Sequence, residues 1–120
     1  MAILKITDAH DLSPIRIAKK FCEFGERVFA IGNTSNYGLG ISEGIVSVPL
    51  VNVTYDELSR DVIQSDIAVS SGNSGGALLN TKGELLGIVS FRTKDGNGKI
   101  NYGFAYSIPV ENVLCFLTET

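Results

Sequence analysis

The chain has 120 residues, 44% of them apolar and 19% charged, a balance that fits one globular domain and excludes a disordered chain. The net charge of −3 comes without a basic block, and no apolar run reaches the ~18 residues of a membrane helix. We therefore expect neither a nucleic-acid partner nor a membrane partner. The first residues lack the basic and long apolar regions of a signal peptide, and the sequence indicates no compartment.

Short β-type runs separated by turns make up the first half of the chain. The 13 glycines against 3 prolines already favour tight turns and many strands. The expected strands are residues 3–6, 15–18, 27–31 (ended by Gly32 and Asn33) and 61–65, with residues 41–53 forming one long strand bent at Pro49, or two strands.

Hairpins and one helix are predicted for the second half. Residues 77–79 and 85–91 flank a turn-like segment at 80–84, and residues 95–98 give a second turn signal before a strand at 102–108. Val110, Val113, Leu114 and Leu117 follow Pro109 at helical spacing, which predicts a helix beginning there. Six or seven antiparallel strands without intervening helices favour a barrel or a sandwich.

The cysteines and the single histidine restrict the possible chemistry. Cys22 and Cys115 form no Cys-x-x-Cys pair, so two free thiols are preferred over one disulfide, and no metal or cofactor is expected. His10 lies in a polar stretch that is typical of a surface turn. A mechanism that needs a histidine must use His10 or receive one from elsewhere.

The sequence SGNSGG at residues 71–76 carries the strongest chemical signal. A serine between glycines is accessible, and the glycines allow consecutive N–H groups to point into one small space. That arrangement suits a nucleophile, Ser74, beside an oxyanion hole. The alternative is an ordinary glycine-rich turn.

Three functional interpretations of this segment compete. A phosphate-binding loop would need a Gly-Lys-Ser/Thr ending, which is absent. An α/β-hydrolase elbow matches at Gly72, Ser74 and Gly76, but it needs a following helix and a later histidine, and none follows His10. The third has histidine and aspartate before a serine that lies between strands of an antiparallel barrel, and this order fits the predicted elements.

Much of the chain resembles the trypsin-like serine proteases, and within them the HtrA/Deg branch. The resemblance is carried by residues 25–33, 42–47, 64–80, 83–90 and 102–109, in the family's order. It implies the second of two barrels: an all-β, six-stranded antiparallel Greek-key β-barrel with a C-terminal helix. Residues 1–120 would then form this single C-terminal barrel, with the N-terminal barrel absent.

The resemblance also implies roles for individual residues. Ser74 matches the nucleophile, and the oxyanion hole matches the backbone N–H groups of Gly72, Asn73 and Ser74. Asn73 replaces the aspartate of the digestive enzymes, which indicates no zymogen switch, and Ser70 and Ser71 replace the branch's usual Asn-Pro. The substrate-binding positions are Ala68, Ser90, Phe91, Arg92, Gly103 and Ala105.

The substrate itself would be a polypeptide. Because Ala68, at the base of the pocket, is not acidic, a small or medium aliphatic side chain is expected there. The alternative is that Ala68, Gly103 and Ala105 are small only because a barrel must pack.

The family's catalytic acid and base are not matched. Residues 2–6 resemble the end of the segment Asp-x-Ala-x-Leu-Lys-Ile, which implies an aspartate immediately before Met1 and a histidine farther upstream. His10 is a poor substitute because it follows this segment on an outer loop, although Asp56, Asp61 or Asp66 could be imagined as its partner. We therefore expect a serine endopeptidase domain that is inactive alone and lacks its N-terminal barrel as a partner.

Two further expectations concern assembly. The apolar face that the missing barrel would cover is expected to favour self-association into a homo-oligomer. The alternative function is a non-catalytic peptide-binding or assembly module of the same fold, which would have no need of the intact motif at residues 72–76.

Overall fold

In a computed structural model the chain forms a ring of six antiparallel strands followed by one helix. The structure describes residues 1–8, 10–33, 38–55, 57–69, 72–91 and 103–119. The elements are β1 (Arg27–Asn33), β2 (Leu39–Tyr55), β3 (Leu58–Ser65), β4 (Ala77–Leu79), β5 (Leu85–Phe91), β6 (Ala105–Pro109) and α1 (Val110–Thr118).

The strands are ordered β1-β2-β3-β6-β5-β4, and β4 pairs back onto β1 to close the barrel. Strand β4 thus lies beside β1, and the run β4-β1-β2-β3 is the order of a Greek key. The predicted all-β fold, a six-stranded antiparallel Greek-key barrel with a C-terminal helix, is confirmed.

Alternation along the strands builds the core. In β1, Val28 and Ala30 are buried, whereas Phe29 and Ile31, which alternate with them, are only half-buried. Each other strand also contributes at least one buried residue to the interior. The principal buried hydrophobic residues of the ring are Val28, Ala30, Val46, Ile63, Leu78, Val89 and Ala105.

Strand β2 is one long strand with an irregular middle. Its register against β3 shifts between Val46 and Val48 and again between Val48 and Val51. Pro49 lies inside the second shift, and because proline has no N–H it cannot donate to the ladder. The structure agrees with the single-strand alternative, with a register irregularity at Pro49, and not with two strands.

The strand predicted at residues 3–6 is wrong. Residues 1–6 are irregular and exposed, and Leu4 is 90% exposed. The six strands of the closed ring pair with one another, and residues 1–6 pair with none of them, so this run lacks the partner that a strand needs. The strand predicted at residues 15–18 is reduced to one parallel bridge between Ile17 and Leu85.

The hairpin and helix predictions agree better. Strands β4 and β5 pair across the turn at 80–84, and α1 begins directly after Pro109. The second turn signal, at residues 95–98, lies outside the described residues, as does Tyr102 before β6. Among the helices of the described part of the chain, none is long and apolar enough to span a membrane.

Candidate active site

The loop that carries Ser74 lies between β3 and β4 and is tied to β5. The Gly75 N–H donates to the Val89 carbonyl at 2.7 Å, and the Val89 N–H donates to the Gly76 carbonyl at 2.9 Å. Gly72 and Gly75 have φ angles of 103° and 89°, a region that side chains rarely adopt. These hydrogen bonds and glycine conformations leave Ser74 exposed at the turn.

The same loop is tied to β1. The Asn33 N–H donates to the Gly72 carbonyl at 3.2 Å, and the Gly76 N–H closes a turn onto the Asn73 carbonyl at 2.9 Å. Asn73 is 2% exposed, so its side chain points inward while the neighbouring Ser74 points outward. The predicted oxyanion-hole residues therefore lie on one fixed turn.

The Ser74 hydroxyl donates a hydrogen bond to the Ser90 carbonyl, with 2.9 Å between the oxygens. Ser90 lies in β5, directly before that strand's last residue, Phe91. Within the described part of the chain, no hydrogen bond joins Ser74 to a histidine or a carboxylate. Since a peptide carbonyl is not a base at neutral pH, this contact orients the hydroxyl but does not activate it.

A cleft of about 330 Å³ adjoins Ser74. Ser74, Gly75 and Ser90 form its polar wall, and the first three residues of the chain line it as well. The remaining lining residues are apolar and come from β5, β6 and α1: Ile88, Val89, Ile108, Val113, Phe116 and Leu117. The hydroxyl thus faces a mainly apolar recess next to the N-terminal segment.

The predicted substrate-binding residues differ in exposure and in their position in the fold. Ala68 and Gly103 are exposed, whereas Ala105 is 1% exposed and lies opposite Ser65 in the ladder between β3 and β6. Phe91 ends β5 opposite Tyr106. Arg92, Ser70 and Ser71 lie outside the described residues, so the pocket assignment stays a prediction.

The imagined partners of His10 are engaged elsewhere. Asp61 accepts a hydrogen bond from the Asn52 amide at 2.9 Å, and Asp66 accepts one from the Ile45 N–H at 2.7 Å. Asp56 lies outside the described residues. His10 itself is exposed, as the sequence predicted. Among the described residues, no ion pair joins His10 to a carboxylate that would make it a base for Ser74.

Two features of the site were missed from the sequence. Ser90 was predicted only as part of the substrate-binding wall, yet its carbonyl accepts a hydrogen bond from the Ser74 hydroxyl. Asp66 was considered only as a partner for His10, although it binds the backbone of β2. Both contacts depend on which strands lie side by side, and no local pattern signals them.

The two cysteines are free, as predicted, and they differ in environment. Burial of Cys22 raises the pKa of its thiol to about 11, and the nearby Glu26 carboxylate adds to the shift. Cys115 is exposed on α1. Neither cysteine is among the residues that line the cleft at Ser74.

An antiparallel barrel that presents a serine on a glycine-rich turn between two strands defines the chymotrypsin-like class of peptidase folds. Comparison with known families agrees with this class. Residues 1–88 match the trypsin-like peptidase domain model. The chain therefore belongs to the trypsin-like peptidase family.

Individual relatives are of the HtrA/Deg type. The serine endoprotease DegS of Haemophilus influenzae is 38% identical over 113 residues, which cover 92% of this chain and 33% of DegS. A probable periplasmic DegP-like serine endoprotease of Buchnera aphidicola is 39% identical and is covered over 25% of its length. The chain thus spans a third or less of these relatives.

Solved structures show the same fold. The HtrA-type protease AlgW with a decapeptide superimposes with a TM-score of 0.73 at 27% identity, covering 90% of this chain and 32% of AlgW. The Rv3671c protease of M. tuberculosis, in an inactive form, gives a TM-score of 0.78 at 18% identity, covering 91% of this chain and 56% of that protein. The second likeness concerns the fold alone.

Proposed function

We propose that the chain is the nucleophile-bearing barrel of a serine endopeptidase, with Ser74 as the attacking residue. The observation that carries the proposal is the exposed Ser74 hydroxyl at the mouth of a cleft, on a turn held by Gly72 and Gly75. The relatives that share this barrel are serine endoproteases by name, which supports the same chemistry.

The proposed reaction begins when the Ser74 oxygen attacks the carbonyl carbon of a peptide. The hydroxyl proton passes to a base, and the N–H groups of Gly72, Asn73 and Ser74 stabilise the oxyanion, a term worth a few kcal/mol per donor. The C–N bond then breaks as the base returns the proton to the leaving amine. Water, deprotonated by the same base, hydrolyses the resulting ester and frees Ser74.

Within the described part of the chain the Ser74 hydroxyl donates to the Ser90 carbonyl and meets no histidine or carboxylate, and this supports a base supplied from elsewhere. In this proposal a second barrel, carrying histidine and aspartate, supplies it and covers the apolar cleft. The first three residues line that cleft beside Ser74, so a barrel joined ahead of Met1 would reach it over a short distance. The chain alone is proposed to be inactive.

Substrate would bind as an added strand along Ser90 and Phe91, the end of β5, with Arg92 following. The pocket for the side chain before the cleaved bond would involve Ala68, Gly103 and Ala105. Since Ala68 carries no charge, this proposal favours a small or medium aliphatic side chain over a basic one.

The second candidate is a non-catalytic peptide-binding or assembly module. The specific observation in its favour is that the Ser74 hydroxyl donates to a carbonyl and, among the described residues, to no histidine or carboxylate. The side chains of Ile3, Leu4 and Ile6 are apolar and exposed. We propose that a second copy of the chain could bury them in a homo-oligomer.

A labelling experiment separates the two candidates. The chain and its Ser74→Ala variant are treated with a fluorophosphonate, each alone and each fused at Met1 to the histidine- and aspartate-bearing barrel of an HtrA-type relative. We expect no labelling of the chain alone, and stoichiometric labelling of the fusion that Ser74→Ala abolishes. Labelling of the unfused chain would refute its inactivity, and an unlabelled but folded fusion would refute the role of Ser74.

A further inference from the structure

We propose that Asp66 is a positioning residue whose carboxylate ties the segment between β3 and the nucleophile loop to β2. The tie is the hydrogen bond that the Ile45 N–H donates to Asp66 Oδ1, with 2.7 Å between the two atoms. Its importance for catalysis rests on the proposed function. The hydrogen bond itself and its effect on the loop do not depend on the proposed function.

The geometry is that of a sheet ladder completed by a side chain. The last paired residue of β3 is Ser65, opposite Val46, so the next step would pair Asp66 with Ile45. The Asp66 N–H does reach the Ile45 carbonyl, at 3.3 Å. The Ile45 N–H, however, donates to the carboxylate, which takes the place of the main-chain carbonyl in an antiparallel pair.

This substitution lets the backbone leave β2 without leaving the Ile45 N–H unpaired. The contact is exposed to solvent, and a charged acceptor makes a stronger hydrogen bond than a neutral one, so the carboxylate holds this N–H in place of water. The chain then turns inward at Ile67, which is 1% exposed. Asp66 therefore sets where β3 ends and where the next segment begins.

Gly44 provides independent support for a built contact. A Cβ atom at position 44 would collide with Asp66 Oδ1 and with Ile67 Cγ1, and would lie 3.1 Å from the Ile67 nitrogen. Gly44 is also held in the ladder opposite Val28, so it cannot move away freely. Only glycine leaves room for the carboxylate and for Ile67 at once.

The consequence concerns the loop that follows. Ser74 lies eight positions after Asp66 in the sequence, and its loop is held at the far end by the Gly75 hydrogen bond to Val89. Asp66 and Ile67 hold the near end. Loss of the carboxylate should therefore loosen residues 66–69 and 72–76 while leaving the ring of strands intact.

Amide hydrogen exchange on the purified chain tests this role. Asp66→Ala should accelerate exchange at Ile45, Ile67 and residues 72–76 by about fivefold or more, as expected for one lost hydrogen bond. Asp66→Asn retains the Oδ1 acceptor and should restore slow exchange at these amides. The matched control is Asp61→Ala, which removes an exposed carboxylate of β3 that accepts a hydrogen bond from the Asn52 side chain and lies outside the nucleophile loop.

Gly44→Ala reaches the same contact from the other strand and should accelerate the same amides. Uniform acceleration of all barrel amides in Asp66→Ala, equal effects of Asp66→Asn and Asp66→Ala, or unchanged Ile45 exchange in Gly44→Ala would each overturn the proposal. If Asp66→Ala does not fold, the decision rests on Gly44→Ala and Asp66→Asn. Because exchange does not require turnover, failure of the endopeptidase proposal would not alter this result.

Discussion

Replacing Gly76 by alanine tests how tightly the nucleophile loop is fitted against β1. The added Cβ would collide with the Ile31 carbonyl oxygen and would lie 2.9 Å from the Asn73 carbonyl oxygen. Both neighbours are backbone atoms, which cannot rotate away as a side chain could. Strand β4 must then move away from β1, where Ile31 pairs with Ala77.

The expected loss of stability combines two terms. Overpacking in a well-packed site costs about 1–3 kcal/mol, and loss of the turn hydrogen bond from Gly76 to Asn73 adds about 1 kcal/mol. Gly76→Ala should therefore lower the free energy of unfolding by about 3 kcal/mol. Gly76 does not have a positive φ, so the cost is steric and does not come from backbone strain.

Gly83→Ala is the matched control because the added methyl group there meets no neighbour but the backbone φ is unfavourable for alanine. Nothing lies within 4 Å of an added Cβ, but φ is +75°, which costs about 1–2 kcal/mol for a residue other than glycine. Urea unfolding followed by circular dichroism measures both variants. If Gly76→Ala is no less stable than Gly83→Ala, the close approach of the loop to β1 is refuted.

Two further predictions concern stability. In the folded state the Cys22 thiol has a pKa of about 11, whereas the pKa of an ordinary thiol is 9.0. The protonated thiol therefore contributes fully to the free energy of unfolding below pH 9, and this contribution is lost between pH 9 and 11. Urea titrations should show this fall in the free energy of unfolding, at most about 3 kcal/mol, in Cys115→Ala but not in Cys22→Ala, and an equal pH dependence of the two variants would contradict it. Asn80→Ala removes the acceptor for the Lys82 and Glu84 N–H groups, both at 2.9 Å, and should cost about 1–2 kcal/mol. Asn80→Asp keeps the acceptor but loses the hydrogen bond that the Asn80 amide donates to the Glu84 carboxylate at 2.9 Å, so it should recover only part of that stability. A melting temperature of Asn80→Ala equal to that of the unchanged chain would contradict the role of the turn.

Elements defined by neighbours in the chain were predictable. Alternation located β1, β4 and β5 to within a few residues, because the two-residue period of side chains along a strand is a local property. The turn at 80–84 and the helix after Pro109 were predictable for the same reason. The motif at residues 71–76 was recognisable because its serine and glycines are contiguous.

Predictions that needed a partner strand were less successful. Residues 3–6 have the composition of a strand, but in the structure they pair with none of the six strands of the ring. The sequence likewise did not decide whether residues 41–53 form one strand or two around Pro49. The pairing with β3 decided that they belong to one strand.

The sequence by itself therefore determined the class of fold, the family resemblance and the position of Ser74, because periodicity, turns and contiguous motifs are local. The tertiary structure alone decided that the Ser74 hydroxyl donates to Ser90, that Asn73 points inward, and that Asp66 completes the ladder at Ile45. These contacts join residues that are from 16 to 21 positions apart, or depend on burial between strands. Closing the ring brings such residues together, and only then do their hydrogen bonds have partners.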